Sequence, residues 1–249
     1  MNAASSAKLH LNKRLVTILL LISATSSVLL GGDNLDLTGM AKSAIRPYLL
    51  PYLSTLTAEE SIPIALLPDR SFPMVIVGSR FNPVTVIDWS KAAVGVPSFW
   101  LAVNVAPAVV LGGALQAGEW QGAGFNAMNM FLSYSTGAEG HPNYFSCQIT
   151  HVKGFDDFHF RNLSLSYAKT FHIGNWLSGL GFYYDFLQCD IYITDNVLAD
   201  QNYRTTKNFS ISRLQISLGK KLNEALKIGL EVNLSRRSTT SGITCFYCL

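Results

Sequence analysis

From Leu226 to Leu234 hydrophobic and polar residues alternate without a break. Leu226, Ile228, Leu230, Val232 and Leu234 point one way and Lys227, Gly229, Glu231 and Asn233 the other. A period of two belongs to a strand with two unlike faces. Nine residues at the rise of a strand, tilted, just cross the hydrocarbon of a bilayer, which fits a strand of a membrane barrel.

The same period recurs upstream. Phe209 to Leu218 sets Leu214, Ile216 and Leu218 against Arg213, Gln215 and Ser217. Leu177 to Ile193 sets Leu180, Phe182, Tyr184 and Phe186 against Gly181, Tyr183 and Asp185, then slips phase near Leu187, where a bulge is the simplest cause. Phe158 to Phe171 and Tyr144 to Val152 alternate cleanly, and Trp120 to Tyr134 carries Met128, Met130, Leu132 and Tyr134 on one face. Ser98 to Leu111 reads as one strand with a bulge at Pro107, ended by Gly112-Gly113. Met74 to Trp89 is interrupted at Asn82-Pro83, where proline removes a ladder donor and implies a bulge or an edge.

These eight candidate strands are joined by connections too short for helical crossovers, so an antiparallel meander is expected. Closure removes its edges, and in lipid closure is compulsory because an open edge leaves backbone groups unpaired. Ser241 to Leu249 offers a further strand. The predicted fold is all-β, an antiparallel up-and-down transmembrane β-barrel of eight to ten strands over residues 74–249.

Ahead of it, residues 27–73 show no period of two. Asp33 to Pro73 holds five prolines and helix-compatible stretches such as Leu37 to Ile45, which predicts a helical and irregular leader, either a partial plug or a linker. Residues 1–26 read as a signal peptide: Lys13 and Arg14 precede the apolar run Leu15 to Ile22, and the small residues Ala24 and Ser26 follow.

Composition agrees with a lipid-facing surface. Only 14% of the 249 residues are charged while 49% are hydrophobic, against roughly 25% charged in ordinary soluble proteins. The net charge of +3 comes from Lys8, Lys13 and Arg14, which precede the first acid, Asp33, and leave 16 basic against 16 acidic residues. That balance gives no support for nucleic-acid binding, which needs a clustered cationic face. Cys147, Cys189, Cys245 and Cys248 are too few and dispersed to form a disulfide framework.

Phe158-His-Phe-Arg-Asn-Leu-Ser-Leu-Ser-Tyr, Trp176-Leu-Ser-Gly-Leu-Gly-Phe-Tyr-Tyr and Ile216-Ser-Leu-Gly-Lys-Lys-Leu-Asn-Glu-Ala-Leu-Lys-Ile-Gly-Leu resemble segments of bacterial outer-membrane β-barrel proteins. The resemblance is one of style, covers about Tyr144 to Ser235 and fits many barrel families equally. The ending Cys245-Phe-Tyr-Cys-Leu249 departs from it, since such barrels usually finish on an aromatic residue. The resemblance implies the outer membrane of a Gram-negative-type bacterium, with membrane lipid, the barrel-insertion machinery and envelope proteins as partners.

Candidate chemistry is sparse. His141, His151, His159 and His172 with Asp156, Asp157, Asp185 and Asp190 are the material for catalysis, yet His159 and Arg161 share a face with Leu163, and His151 shares one with Ile149. Such residues belong more often to a membrane interface or a lumen wall. No Gly-x-Ser-x-Gly elbow, phosphate loop or dinucleotide fingerprint occurs. No catalytic, cofactor-binding or metal-binding residue is assigned. Asp185, Asp190, Arg213, Lys227 and Glu231 fall on polar faces and are candidates to line the lumen. The expected role is structural, scaffolding or passive transport without catalysis. The alternatives are a soluble periplasmic or secreted lipid-binding barrel and an outer-membrane lipid-modifying enzyme.

Overall fold

The computed structural model describes residues 43, 45–63, 67, 74–87, 91–93, 97–120, 123–137, 141–153, 158–193, 203–223 and 225–249. The signal-peptide reading and much of the leader lie outside them. One helix, α1 (Ile45–Glu59), precedes the strands β1 (Val75–Ile87), β2 (Lys91–Ala93), β3 (Ser98–Ala106), β4 (Val109–Trp120), β5 (Ala123–Thr136), β6 (Asn143–Lys153), β7 (Phe158–Ile173), β8 (Trp176–Ile193), β9 (Tyr203–Lys221), β10 (Leu226–Ser235) and β11 (Ser238–Cys248).

From β3 to β11 each strand pairs antiparallel with the next, β3 also pairs with β1, and β11 returns to β1 from Ile76–Cys248 to Ile87–Ser238. The short β2 pairs only with β1, so ten of the eleven strands form the ring. The result is a closed, up-and-down, ten-stranded antiparallel barrel, as the meander predicted. At the lower mouth β1 begins and β11 ends: the Val75 amide donates to Leu249 O (3.3 Å) and the Leu249 amide to Val75 O (2.8 Å). The two-residue turns 107–108 and 174–175 lie at this mouth, and β1, β4, β6, β8 and β10 end at the opposite, upper one. Gly174, at φ 57°, supplies the left-handed residue that the tight β7–β8 turn requires.

The alternating faces sort as the sequence pattern requires. Leu214, Ile216, Leu230, Val232, Leu180, Phe182, Phe186, Met130 and Leu132 are exposed on the outside, while Arg213, Gln215, Ser217, Glu231, Asn233, Asp185 and Asn129 are buried within. An apolar belt of this extent on an outer surface is foreign to a water-facing monomer. Phe145 and Tyr167 stack on it with ring centroids 5.1 Å apart, and the Tyr167 hydroxyl donates to Asn143 Oδ1 (2.9 Å).

Several local expectations change. Ser98 to Leu111 is two strands, with Pro107 in the two-residue turn between them and Gly112-Gly113 inside β4 instead of ending a strand. Gly112 faces inward where any Cβ would lie 2.6 Å from the Phe131 ring and 2.8 Å from Leu101 O, so the core requires its missing side chain. The bulge expected at Asn82-Pro83 is present as a register shift between Phe81 and Val84. No bulge exists near Leu187, because β8 pairs without interruption on both sides. Its inward face becomes apolar there, at Leu187, Cys189 and Ile191, because these residues pack against α1.

That helix occupies the interior. It carries no single apolar stripe: Ile45, Leu49, Tyr52, Leu53 and Leu56 are buried, and so are Ser54, Thr55 and Thr57. Burial on every side is the mark of a helix surrounded by protein. Its hydroxyls are satisfied locally, Thr55 donating to Pro51 O (3.1 Å) and Thr57 to Leu53 O (2.9 Å). The apolar residues of α1 pack with Ala127, Val152, Phe160, Leu187, Cys189, Ile191, Phe209 and Ile211 of the upper wall. Beyond the helix, Ile62 and Leu67 join Ile76, Trp100, Phe131, Tyr144 and Phe246 of the lower wall. The chain therefore threads the barrel from the upper mouth towards the lower one before β1 begins.

Candidate functional site

The polar heart of the molecule lies where α1 ends. The last carbonyls of a helix lack intrahelical partners, and inside a barrel no bulk water replaces them. Here the wall does so. Arg80 on β1 donates from Nη2 to Ala58 O (3.0 Å) and from Nη1 to Ser61 O (2.9 Å). Asn129 on β5 and Gln148 on β6 both donate to Glu60 O, at 3.0 and 2.7 Å. Asn233 on β10 donates to Ala58 O (3.3 Å), and the Tyr183 hydroxyl on β8 to Ile62 O (3.0 Å). Higher up, the Ser54 hydroxyl bonds to Ser235 and, at 2.7 Å, to Ser238. Partners on β1, β5, β6, β8, β10 and β11 thus hold the segment from most of the circumference.

Two buried ion pairs brace this contact. Arg213 on β9 holds Asp185 on β8 bidentately, through Nε at 2.5 Å and Nη2 at 2.9 Å, with its remaining nitrogen on Ser61 Oγ and its guanidinium 4.6 Å from the Tyr183 ring centre. Asn162 adds a third donor to Asp185 Oδ1 (3.2 Å). Arg80 pairs with Glu231, whose other oxygen accepts from Gln215 Nε2 at 3.2 Å. Both pairs are out of contact with solvent. Each pair joins one cation to one carboxylate, and the cations face the negative end of the helix dipole.

Of the residues read from sequence as lumen candidates, Asp185, Arg213 and Glu231 meet in this cluster. Lys227 has the inward register of β10 but stands half-buried at the lower mouth. Asp190 is corrected: on unbroken β8 it has the outward register, and near the upper rim it accepts a hydrogen bond from Thr206 Oγ1 (2.7 Å). The expected slip had placed it inside. Sequence reasoning missed Arg80, Asn129, Gln148 and Asn233, whose roles depend on where the helix ends within the lumen, and the reading of a partial plug or linker did not fix that. The histidines His151 and His159 and the neighbouring Arg161 have outward registers at the upper end of β6 and β7.

The translocator domain of the autotransporter NalP from Neisseria meningitidis superposes with a TM-score of 0.51 at 10% identity, over 83% of this chain and 99% of that one. The fold is that of the outer-membrane β-barrels. The N-terminal β-barrel domain of Pseudomonas aeruginosa OprF (TM-score 0.36, 6% identity, 71% of this chain and 98% of that one) and the KdgM porin (0.36, 10%, 70% and 98%) are also similar. No protein-family model matches the chain, and no curated relative is similar enough in sequence to match it.

Proposed function

We propose that the protein is an outer-membrane-integrated barrel closed by its own N-terminal segment, with a structural or scaffolding role and no catalytic step. The observation that carries this reading is the threaded lumen. An open pore needs a continuous water-filled passage, whereas α1 and residues 60–62 occupy this one and are hydrogen-bonded to walls on nearly every side. The outward belt supports membrane integration, and a soluble lipid-binding barrel would instead turn that apolar face inward.

The test is conductance in planar bilayers. The full chain should be silent, while a variant with Leu49→Asp and Leu53→Asp, which puts two carboxylates into the apolar upper cluster, should expel the helix and conduct. A steady open current from the unmodified chain would establish passive transport instead. Absence of turnover of labelled phospholipid completes the reading.

Threading also favours a second role, carriage of the chain's own N-terminal part across the membrane, in keeping with the translocator domain it superposes on. An epitope inserted ahead of Ser43 and another after Leu249 should then be accessible from opposite sides of intact cells. Access from the same side would reject it.

A further inference from the structure

Among the described residues, the apolar belt of the outer surface is broken by a groove across β3 to β7. Across β3 to β7, Phe99 pairs with Leu115, Leu115 with Met128, Met128 with His151 and His151 with Arg161, all of outward register. One step higher, Ala117, Asn126 and Lys153 form a second row. The apolar members and His151 and Lys153 enclose an outward-opening groove of about 600 Å³. Its floor is greasy, with Leu115 62% and Met128 50% exposed, and it continues into the belt at Met130 and Ile149.

Its upper edge is cationic. On β6 the outward series runs from Ile149 to His151 and Lys153, and on β7 from Leu163 to Arg161 and His159, so both strands change from apolar to basic at the same level. Arg161 stands opposite His151 in register, and Lys153 lines the groove beside it. The acid facing this group from β8, Asp190, pairs in register with His159 and is hydrogen-bonded to Thr206.

We infer that this groove binds a lipid carrying two phosphate groups, with an acyl chain laid along Phe99, Leu115 and Met128 and its phosphates held by Lys153 and Arg161. The argument rests on the membrane reading. The groove floor is continuous with the belt, so a tail enters without leaving hydrocarbon, and the cations stand where that belt ends, at head-group level. Arginine's planar fork and lysine's ammonium both suit phosphate oxygens. Two neighbouring cations, Lys153 and Arg161, fit a doubly phosphorylated head group better than a phosphodiester with a single charge.

The full chain, folded in detergent, would be mixed with diphosphoryl lipid A, phosphatidylglycerol or phosphatidylcholine and bound lipid counted by native mass spectrometry. Lipid A should be retained at least tenfold more than either phospholipid. Retention should fall tenfold in the double variant Lys153→Gln, Arg161→Gln, and also in Ala117→Trp, which fills the groove without altering charge. Heat-modifiable migration identifies folded variants, and if the double variant does not fold, Ala117→Trp alone decides. Equal retention of the three lipids, or full retention by a folded groove variant, overturns the site and leaves the barrel standing. A chain that stays soluble without detergent would overturn the membrane reading itself.

Discussion

Arg80 and Glu231 form an ion pair across the seam where the barrel closes, with β11 lying between their two strands. Glu231 stands opposite Gly242 on β11, a residue that leaves the inner face open for the pair to span. Arg80 also holds Ser61 O and Ala58 O, so one guanidinium ties together the first strand, the penultimate strand and the end of the helix. Removing one partner of a fully buried pair leaves the other charge uncompensated, at a cost of about 3–5 kcal/mol. Glu231→Ala should therefore lower the urea midpoint of unfolding strongly, and Arg80→Met combined with Glu231→Leu should recover much of the loss. Equal instability of the single and double variants would show that Arg80 matters for the helix carbonyls and not for the seam.

The helix can be fixed in place covalently. Ser54 Oγ lies 2.7 Å from Ser238 Oγ, so the two side chains point at each other across the gap between α1 and β11. With both replaced by cysteine, oxidation should link residues 54 and 238, visible as a reductant-sensitive gel shift in the folded protein. The linked protein should remain electrically silent when the Leu49→Asp, Leu53→Asp changes are added, and reduction should restore conductance. Conductance through the oxidised form would mean that the ion path does not require the helix to leave.

The strands were legible in sequence where the two faces see different media. Leu214 and Ile216 face outward and Arg213 and Gln215 inward, so period two survives on β9 and β10. It fails on upper β8, where Leu187, Cys189 and Ile191 face a helix and the inner wall is as apolar as the outer. The β3–β4 hairpin was hidden for another reason. Its two-residue turn alone would swap the parity of the outer face, but a register shift between Asn104 and Ala106 restores it, so odd-numbered residues such as Val103 and Leu111 face outward on both sides and the period passes through Pro107 unbroken. The pairing of Glu231 with Arg80 and the contacts that cap the helix were not legible. Nothing local in Arg80 or Asn129 names a carbonyl far along the chain as its partner, and a helix buried on all sides lacks the stripe that announces one.

Packing at the closing strands is close enough to exclude a methyl group. A Cβ on Gly78 would stand 1.8 Å from Phe246 Cδ1 and 2.7 Å from the backbone oxygen of Cys245. The ring could move but the backbone could not. Gly78→Ala should destabilise the barrel by about 1–3 kcal/mol, the usual range for overpacking. Pairing it with Phe246→Leu should recover only part, since the Cys245 contact persists. Full recovery in refolding midpoints would show that the side chain alone sets the limit.

The outward face offers the sharpest test of its surroundings. Leu165 sits on β7 between Leu163 and Tyr167, itself 48% exposed, with exposed Tyr184 as its cross-strand neighbour. In water, a lysine at so open a position would change stability by less than about 0.5 kcal/mol. In the middle of a bilayer, the same charge costs about 2–4 kcal/mol, because it must be desolvated or draw the lipid inward. Leu165→Lys should accordingly lower the folding free energy into lipid vesicles by that larger amount, while Lys169→Ala, further along the same strand face, should be nearly neutral. If both substitutions were neutral, this surface would face water, and the apolar belt would need a protein partner to cover it.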